Sequence, residues 1–362
     1  MTDPPRARRR RSRLLLSLLI VLGGLLLLEA AVRIRQHVMY GRAGSFYEFE
    51  EDPLGSGLRV PRPGTTSGRD HLIEVNSRGF RGPELQVPKP PGRVRVAFLG
   101  GSTTFCAEAS SNEATWPALV TAGLASAFPA HDFDYVNAGA AAFTTTELKT
   151  NLTVRVAPTD PDIVVIYEAT NDLSRDTRDE ALRQGLPGTE RIGTSWLAQH
   201  SVAWELIEKN LRAATPAADT GAPTLHYDAA ALAETYRAHL TALVQEAKRR
   251  ARNVVLVTFS HKQRREQPPE VQRAAASTSL LWMPYMSLQG VLEGFDAYDQ
   301  VIREVGAAEG VILVEGEDRI PGDGEHFADS VHFTDAGCRL QADRVLSALL
   351  ASPQLDWLRQ AP

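Results

Sequence analysis

The chain is poor in cysteine, has no cluster of metal-ligating side chains and shows no internal repeat, and each gap narrows what it can be. Its two cysteines, Cys106 and Cys338, leave room for one disulfide at most in 362 residues. They are read as buried free thiols, with a bridge open only if the fold brings the stretches around residues 102 and 332 together. No His, Cys and carboxylate side chains recur at metal-ligand spacing, so neither a metal site nor a cofactor is predicted. A glycine-rich turn at residues 100–103 is not followed by the lysine of a phosphate-binding loop. No cysteine closely follows the apolar N-terminal segment, which leaves lipoprotein attachment without support.

Charge is unevenly spread. The first thirteen residues hold six arginines against the single Asp3, while the whole chain carries −5. The remainder is therefore near −10 by formal count, and an acidic body argues against nucleic acid as a partner. Residues 14–28 contain only Leu, Ile, Val, Gly and Ser17, and Ala30, Ala31 and Val32 extend the run past Glu29. That length is close to the lower limit for a spanning helix. Arginines ahead of the segment predict a cytoplasmic N-terminus, against the weaker pull of Arg33, Arg35 and Arg42 beyond it. A cleavable secretory signal is the competing reading, but no good small-x-small cleavage site follows Leu28.

The expected organisation is a basic N-terminus (1–13), a transmembrane anchor (14–32), a spacer or lead-in segment rich in Gly and Pro (33–92), one large domain (93–351) and a short tail (352–362). Within the large domain, apolar runs at 95–99, 133–136, 162–167, 254–259 and 311–314 read as strands. Helical patterns over 113–128, 145–156, 227–250, 291–308 and 334–350 fall between or after them. Two stretches, about 173–224 and 261–289, interrupt the alternation as insertions. A five-stranded parallel sheet with helices on both faces is the predicted result.

Four polar islands stand out against this background: Gly100-Gly101-Ser102-Thr103, Asn137-Ala138-Gly139, Ala169-Thr170-Asn171-Asp172 and Asp329-Ser330-Val331-His332. Three of them directly follow a predicted strand, where ligands bind in parallel α/β sheets. Each has a plain reading alone: a helix start at Ser102, a turn glycine at Gly139, turn chemistry at Asn171, surface polarity at Asp329 and His332. Together they supply what ester chemistry needs. A hydroxyl requires a base to take its proton, and a tetrahedral intermediate requires donors aimed at its oxygen. Asp329 and His332, three apart, allow the carboxylate to orient the ring. His326 is set aside as the base, and Cys106 as the nucleophile. The sequon at Asn151 is given no weight. Lys262, Arg264 and Arg265 are read as a solvated basic face.

Taken jointly, the islands resemble the SGNH/GDSL hydrolase superfamily, named for its Ser, Gly, Asn and His, over roughly residues 93–350. The resemblance implies a flavodoxin-like three-layer α/β/α sandwich. It implies Ser102 as nucleophile, His332 as general base and Asp329 as the residue orienting it. The oxyanion hole it implies comprises the Ser102 and Gly139 amides and the Asn171 side chain. Gly101 stands where the founding motif has Asp, and Ala169 where the third block begins with Gly; neither change removes a reacting group. Membrane-anchored bacterial relatives look similar, with Gly-Gly-Ser-Thr-Thr and an upstream stretch like Asn76-Ser-Arg-Gly-Phe-Arg-Gly-Pro83. The expectation is a serine esterase anchored in the bacterial cytoplasmic membrane by one pass, its catalytic domain in the periplasm. It would act on carboxylic esters of glycans or lipids. An O-acyltransferase, and a catalytically silent glycan-binding scaffold of the same fold, are the alternatives.

Overall fold

The apolar run near the N-terminus lies within a single helix, α1 (Pro5–Tyr40). This computed structural model describes residues 5–40, 49–67, 73–187, 189, 195–214 and 224–360. The stretch Leu15–Arg35, with mean hydropathy 2.5, is long and apolar enough to cross a membrane, and its length and composition suit a signal sequence equally. Its leucines project away from the rest of the protein.

After α1 come two antiparallel hairpins, β1 (Phe49–Glu51) with β2 (Arg59–Pro61) and β3 (Thr66–Ser67) with β4 (Ile73–Glu74). This lead-in segment is docked onto the large domain. Asn76 Oδ1 accepts from the Arg78 and Phe80 amides, folding 76–80 into a tight turn that buries Phe80. Arg81 then pairs across a β-bridge with Asn137.

From β5 (Arg93–Gly100) the chain runs through α2 (Ser102–Phe105), α3 (Trp116–Ala127), β6 (Asp132–Asn137), α4 (Thr145–Asn151), β7 (Ile163–Tyr167) and α5 (Thr170–Arg183). The first insertion carries α6 (Trp196–His200) and α7 (Val202–Ala214), and α8 (Ala229–Arg250) leads to β8 (Asn253–Val257). The second insertion carries α9 (Pro269–Ala275) and α10 (Ser277–Trp282), ahead of α11 (Leu288–Glu309), β9 (Ile312–Val314) and α12 (Asp335–Ala351). The five strands form one parallel sheet in the order β6-β5-β7-β8-β9. Helices α3 and α12 pack together on one face, and α4, α8 and α11 on the other. This is the predicted three-layer sandwich.

Local chemistry explains the boundaries. The β7 run Ile-Val-Val-Ile-Tyr is buried throughout, as a central parallel strand covered on both faces must be. Helix α3 starts at Trp116 and not at residue 113, because the Thr115 hydroxyl caps it and Pro117 occupies its first turn. The helix expected over 145–156 is regular only to Asn151 and widens into a π turn over Leu152–Val156. Its start is fixed by a capping box in which the Thr144 amide donates to Glu147. An aromatic stack fills the sheet's carboxyl end, with Tyr167 4.9 Å from Phe259 and Trp116 edge-on to both Phe98 and Tyr167.

Candidate active site

The register of β5 and β7 decides what meets at the carboxyl edge. Gly100 lies opposite Tyr167, so Gly101-Ser102 and residues 168–171 leave the sheet side by side. The loop after β6 follows β5 in the same way, with the Ala138 and Ala140 amides donating to the carbonyls of Phe98 and Gly100. Ser102 opens α2, whose backbone is held by Trp116 Nε1 donating to the Thr103 carbonyl at 3.1 Å.

The fourth island arrives from the other side of the sheet. Asp329 Oδ1 accepts from the Val331 and His332 amides, both at 2.9 Å, which closes a tight turn. The Thr334 side chain caps α12 two residues later. In this turn His332 Nδ1 donates to Asp329 Oδ2 at 2.8 Å, and His332 Nε2 accepts from Ser102 Oγ at 2.7 Å. Ser110, on the loop after α2, donates through its amide and hydroxyl to Asp335 at the start of α12. That tie fixes the distance between the two halves of the site.

Burial acts to lower the His332 pKa, but the hydrogen bond to Asp329 and the carboxylates of Glu108, Asp329 and Glu168 outweigh it and raise it above the ordinary imidazole value. Burial likewise acts to raise Asp329, but its bond and charge pairing with His332 and the two turn amides hold it below the usual carboxylate range. A carboxylate, an imidazole and a hydroxyl hydrogen-bonded in series at these distances are arranged for proton transfer from serine to histidine whenever the ring is neutral.

Asn171 stands beside this line. Its Nδ2 lies 2.5 Å from where a Cβ on Gly101 would project, so no larger residue fits at Gly101 without moving it. The founding motif's Asp would therefore require the ends of the Asn171 and Glu168 side chains to shift. Nδ2 donates to the Phe143 carbonyl at 2.9 Å and more loosely to Glu168 Oε2 at 3.3 Å. Asp172 accepts from the Thr145 amide and hydroxyl, clamping the start of α5 to that of α4. Ala169 departs from the expected Gly at φ −153 and ψ −36, where φ is negative and the left-handed freedom of a glycine is not needed.

Gly139, the third expected oxyanion donor, lies on the loop after β6. Its amide donates to Asn137 Oδ1 at 3.1 Å, and a Cβ there would fall 2.3 Å from the Phe105 nitrogen. Its glycine character serves the close approach of this loop to the back of α2. The left-handed residue of the same loop is Ala142, at φ 63, next to the Phe143 carbonyl that holds Asn171.

Two features escaped the sequence reading. Glu168 is fully buried behind Ser102, accepts from the Asn171 amide at 2.7 Å, and has its pKa pushed up to about 8 by burial and the neighbouring Asp172. The only signal was an acid ending the most apolar strand. Asp323 and His326 form a second Asp-x-x-His pair at 2.8 Å with the same spacing as Asp329 and His332, but it makes no hydrogen bond to Ser102. Among the other residues weighed, Asn151 is buried and bonded to the Ala138 carbonyl and Arg155, which closes it to modification. Arg264 donates to the Ile320 carbonyl and Arg265 pairs with Asp296, so both are engaged within the fold.

Cys106 and Cys338 are both free and buried, in hydrogen-bonding contact with each other. Burial pushes the Cys106 thiol well up, which removes its nucleophilicity. Thiol titration is expected to find no fast-reacting group in the native protein and two after unfolding; fast native labelling of Cys106 would contradict this placement. Among the described residues, no group of three His, Cys, Asp or Glu side chains is placed to hold a metal ion.

A parallel sheet whose carboxyl edge gathers Ser, His and Asp in hydrogen-bonded order is an arrangement that serine ester hydrolases use. The sequence matches the model of the GDSL-like lipase/acylhydrolase family over residues 98–340, and the chain belongs to that family. No curated protein sequence matches it. Among solved structures it is similar to the acetylxylan esterase Axe2 of Geobacillus stearothermophilus, at 17% identity and TM-score 0.44 over 72% of this chain and 95% of that one. It is also similar to a lipase/acylhydrolase of Enterococcus faecalis, at 18% identity and TM-score 0.42 over 71% and 95%.

Proposed function

We propose that the protein is a membrane-anchored serine esterase that cleaves carboxylic esters through a seryl ester intermediate. The observation that carries this reading is His332, which bridges Ser102 Oγ at 2.7 Å and Asp329 at 2.8 Å. Ser102 attacks the ester carbonyl while His332 takes its proton and then delivers it to the leaving alcohol. Asp329 keeps the ring in the required tautomer and stabilises its charged form. Water, deprotonated by His332, releases the acid and restores Ser102.

The oxyanion is served by the Ser102 amide and by Asn171 Nδ2, which exchanges its longer bond to Glu168 for the developing charge. The Gly139 amide is the third donor, exchanging its bond to Asn137 Oδ1 for the oxyanion in the same way. Helix α1 remains as an uncleaved anchor with the arginine-rich end in the cytoplasm, so the catalytic domain works on the far side of the membrane. Acetyl esters of envelope glycans and acyl esters of lipids both suit this chemistry. Acyl transfer to a sugar hydroxyl differs only in the acceptor.

The test is fluorophosphonate labelling of the full chain in detergent, beside turnover of p-nitrophenyl acetate. Both are expected in the wild type and neither in Ser102→Ala. A folded wild-type protein that does neither would favour the glycan-binding scaffold.

A further inference from the structure

Among the described residues, the exposed tryptophans lie in the two insertions. Trp196 (70% exposed), Leu197, Trp204 and Ile207 face outwards from α6 and α7, and Trp282 (55%) from α10. Of the five tryptophans, these three are exposed; Trp116 is buried and Trp357 is partly covered. Trp204 and Ile207 are three apart, so they share one face of α7. An outward-facing set of Trp, Leu and Ile on short helices matches an interfacial membrane element, since indole rings favour the boundary between headgroups and acyl chains.

The same helices are rooted in α1. Glu29, which interrupts the apolar run, accepts from Ser201 Oγ at 2.7 Å and from the Val202 and Ala203 amides, both at 3.0 Å, at the start of α7. Arg33, one turn further along α1, donates to it at 2.6 Å. A carboxylate inside an apolar span is costly unless it is paired. The first-turn amides of α7, carrying the positive end of the helix dipole, supply that pairing. The contact places α7 at the C-terminal end of the span, near Arg33 and Arg35. Helix α10 packs against α7, and its Thr278 and Ser279 amides donate to Ser330 Oγ, inside the Asp329–His332 turn. A continuous series of contacts thus joins the span, the exposed aromatic face and the turn that carries His332.

We propose that α6, α7 and α10 form an interfacial element resting in the headgroup region of the same lipid bilayer that α1 crosses. The occupant of the face is lipid, because the face continues from the apolar span through the Glu29 contact. The proposal rests on the reading of α1 as an uncleaved anchor. Its consequence is that the domain is held at the membrane at two places, with the His332 turn one helix away from lipid.

The test uses the full chain reconstituted in phosphatidylethanolamine and phosphatidylglycerol vesicles, with and without brominated acyl chains, after an intact-mass measurement. Bromination is expected to remove roughly half of the tryptophan emission, since three of five indoles face lipid and the other two are shielded. The variant carrying Trp196→Phe, Trp204→Phe and Trp282→Phe is expected to lose that sensitivity. A full-mass chain whose emission ignores bromination would overturn the proposal and leave the anchor standing; emission that is blue-shifted yet unquenched would mean that protein, such as a second copy, covers the face. Quenching that persists undiminished in the triple variant would also overturn it. A mass lacking the N-terminal residues would remove the anchor, and the proposal with it.

Discussion

Ser102→Ala and His332→Ala are each expected to lower kcat/KM for p-nitrophenyl acetate by about 10³-fold or more, because hydroxyl and base act as one unit and losing either removes the covalent route. Asp329→Asn should cost about 10²- to 10⁴-fold, since the ring keeps its place but loses the charge that stabilises its protonated form. The pH profile separates these roles. His332 acts as a base only when neutral, and its pKa lies above the ordinary imidazole value because Asp329 and nearby carboxylates outweigh burial. Activity should therefore fall on the acid side at a pH above that ordinary value. In Asp329→Asn a raising influence is lost while burial still lowers the pKa, so the acid limb of the residual kcat/KM should move to lower pH. An acid limb that stays in place would show that Asp329 does not act through His332.

The largest loss of stability is expected at Arg81, whose side chain holds the end of the helix that Ser102 opens. Arg81 is 1% exposed, and its guanidinium donates to Asn112 Oδ1 at 2.9 Å, to the Phe105 and Cys106 carbonyls, and to the Ser111 carbonyl at 3.1 Å. All four acceptors lie after Ser102, at the end of α2 and on the loop beyond it. Arg81→Leu leaves the Phe105 carbonyl buried without its donor, while the Cys106 carbonyl keeps the Ala109 amide and Asn112 Oδ1 the Glu74 amide, so a net loss of roughly 2–4 kcal/mol is expected. That is a large share of a typical domain's stability. Arg81→Lys should recover only part, because an ammonium cannot span acceptors arranged for a planar fork. Urea unfolding of the three proteins measures this directly, and a loss under 1 kcal/mol for Arg81→Leu would mean that the turn relaxes without it. In the folded fraction of Arg81→Leu, turnover of p-nitrophenyl acetate should also drop, since α2 carries Ser102.

The Arg81 network also explains why the lead-in segment was only partly legible. Asn76-Ser-Arg-Gly-Phe-Arg-Gly-Pro83 reads as a polar turn in a Gly- and Pro-rich stretch, and its length and composition suit a linker. Nothing local reveals that Arg81 finds carbonyls 24 to 30 residues downstream. Glu29 is similar. It reads as a flaw in an apolar run, and its partners at the start of α7 lie 172 to 174 residues away.

Side-chain type and period are local properties, and they determined by themselves the alternation of strands and helices, the five-stranded parallel sheet, the apolar N-terminal segment and the family. Residues at strand ends were legible for the same reason, because a buried run such as 163–167 must stop where polar groups begin. Relations between distant segments were decided only in the tertiary structure. Two Asp-x-x-His pairs of equal spacing exist, and the placement of α12 brings His332, not His326, within 2.7 Å of a serine 230 residues away. The pairing of Gly100 with Tyr167 set Asn171 and the buried Glu168 beside Ser102, while the packing of the 138–143 loop against α2 turned the Gly139 amide towards Asn137. A hydrogen bond is formed or missed within a few tenths of an ångström, and that margin is set by sheet register and helix packing, which no single stretch of sequence contains.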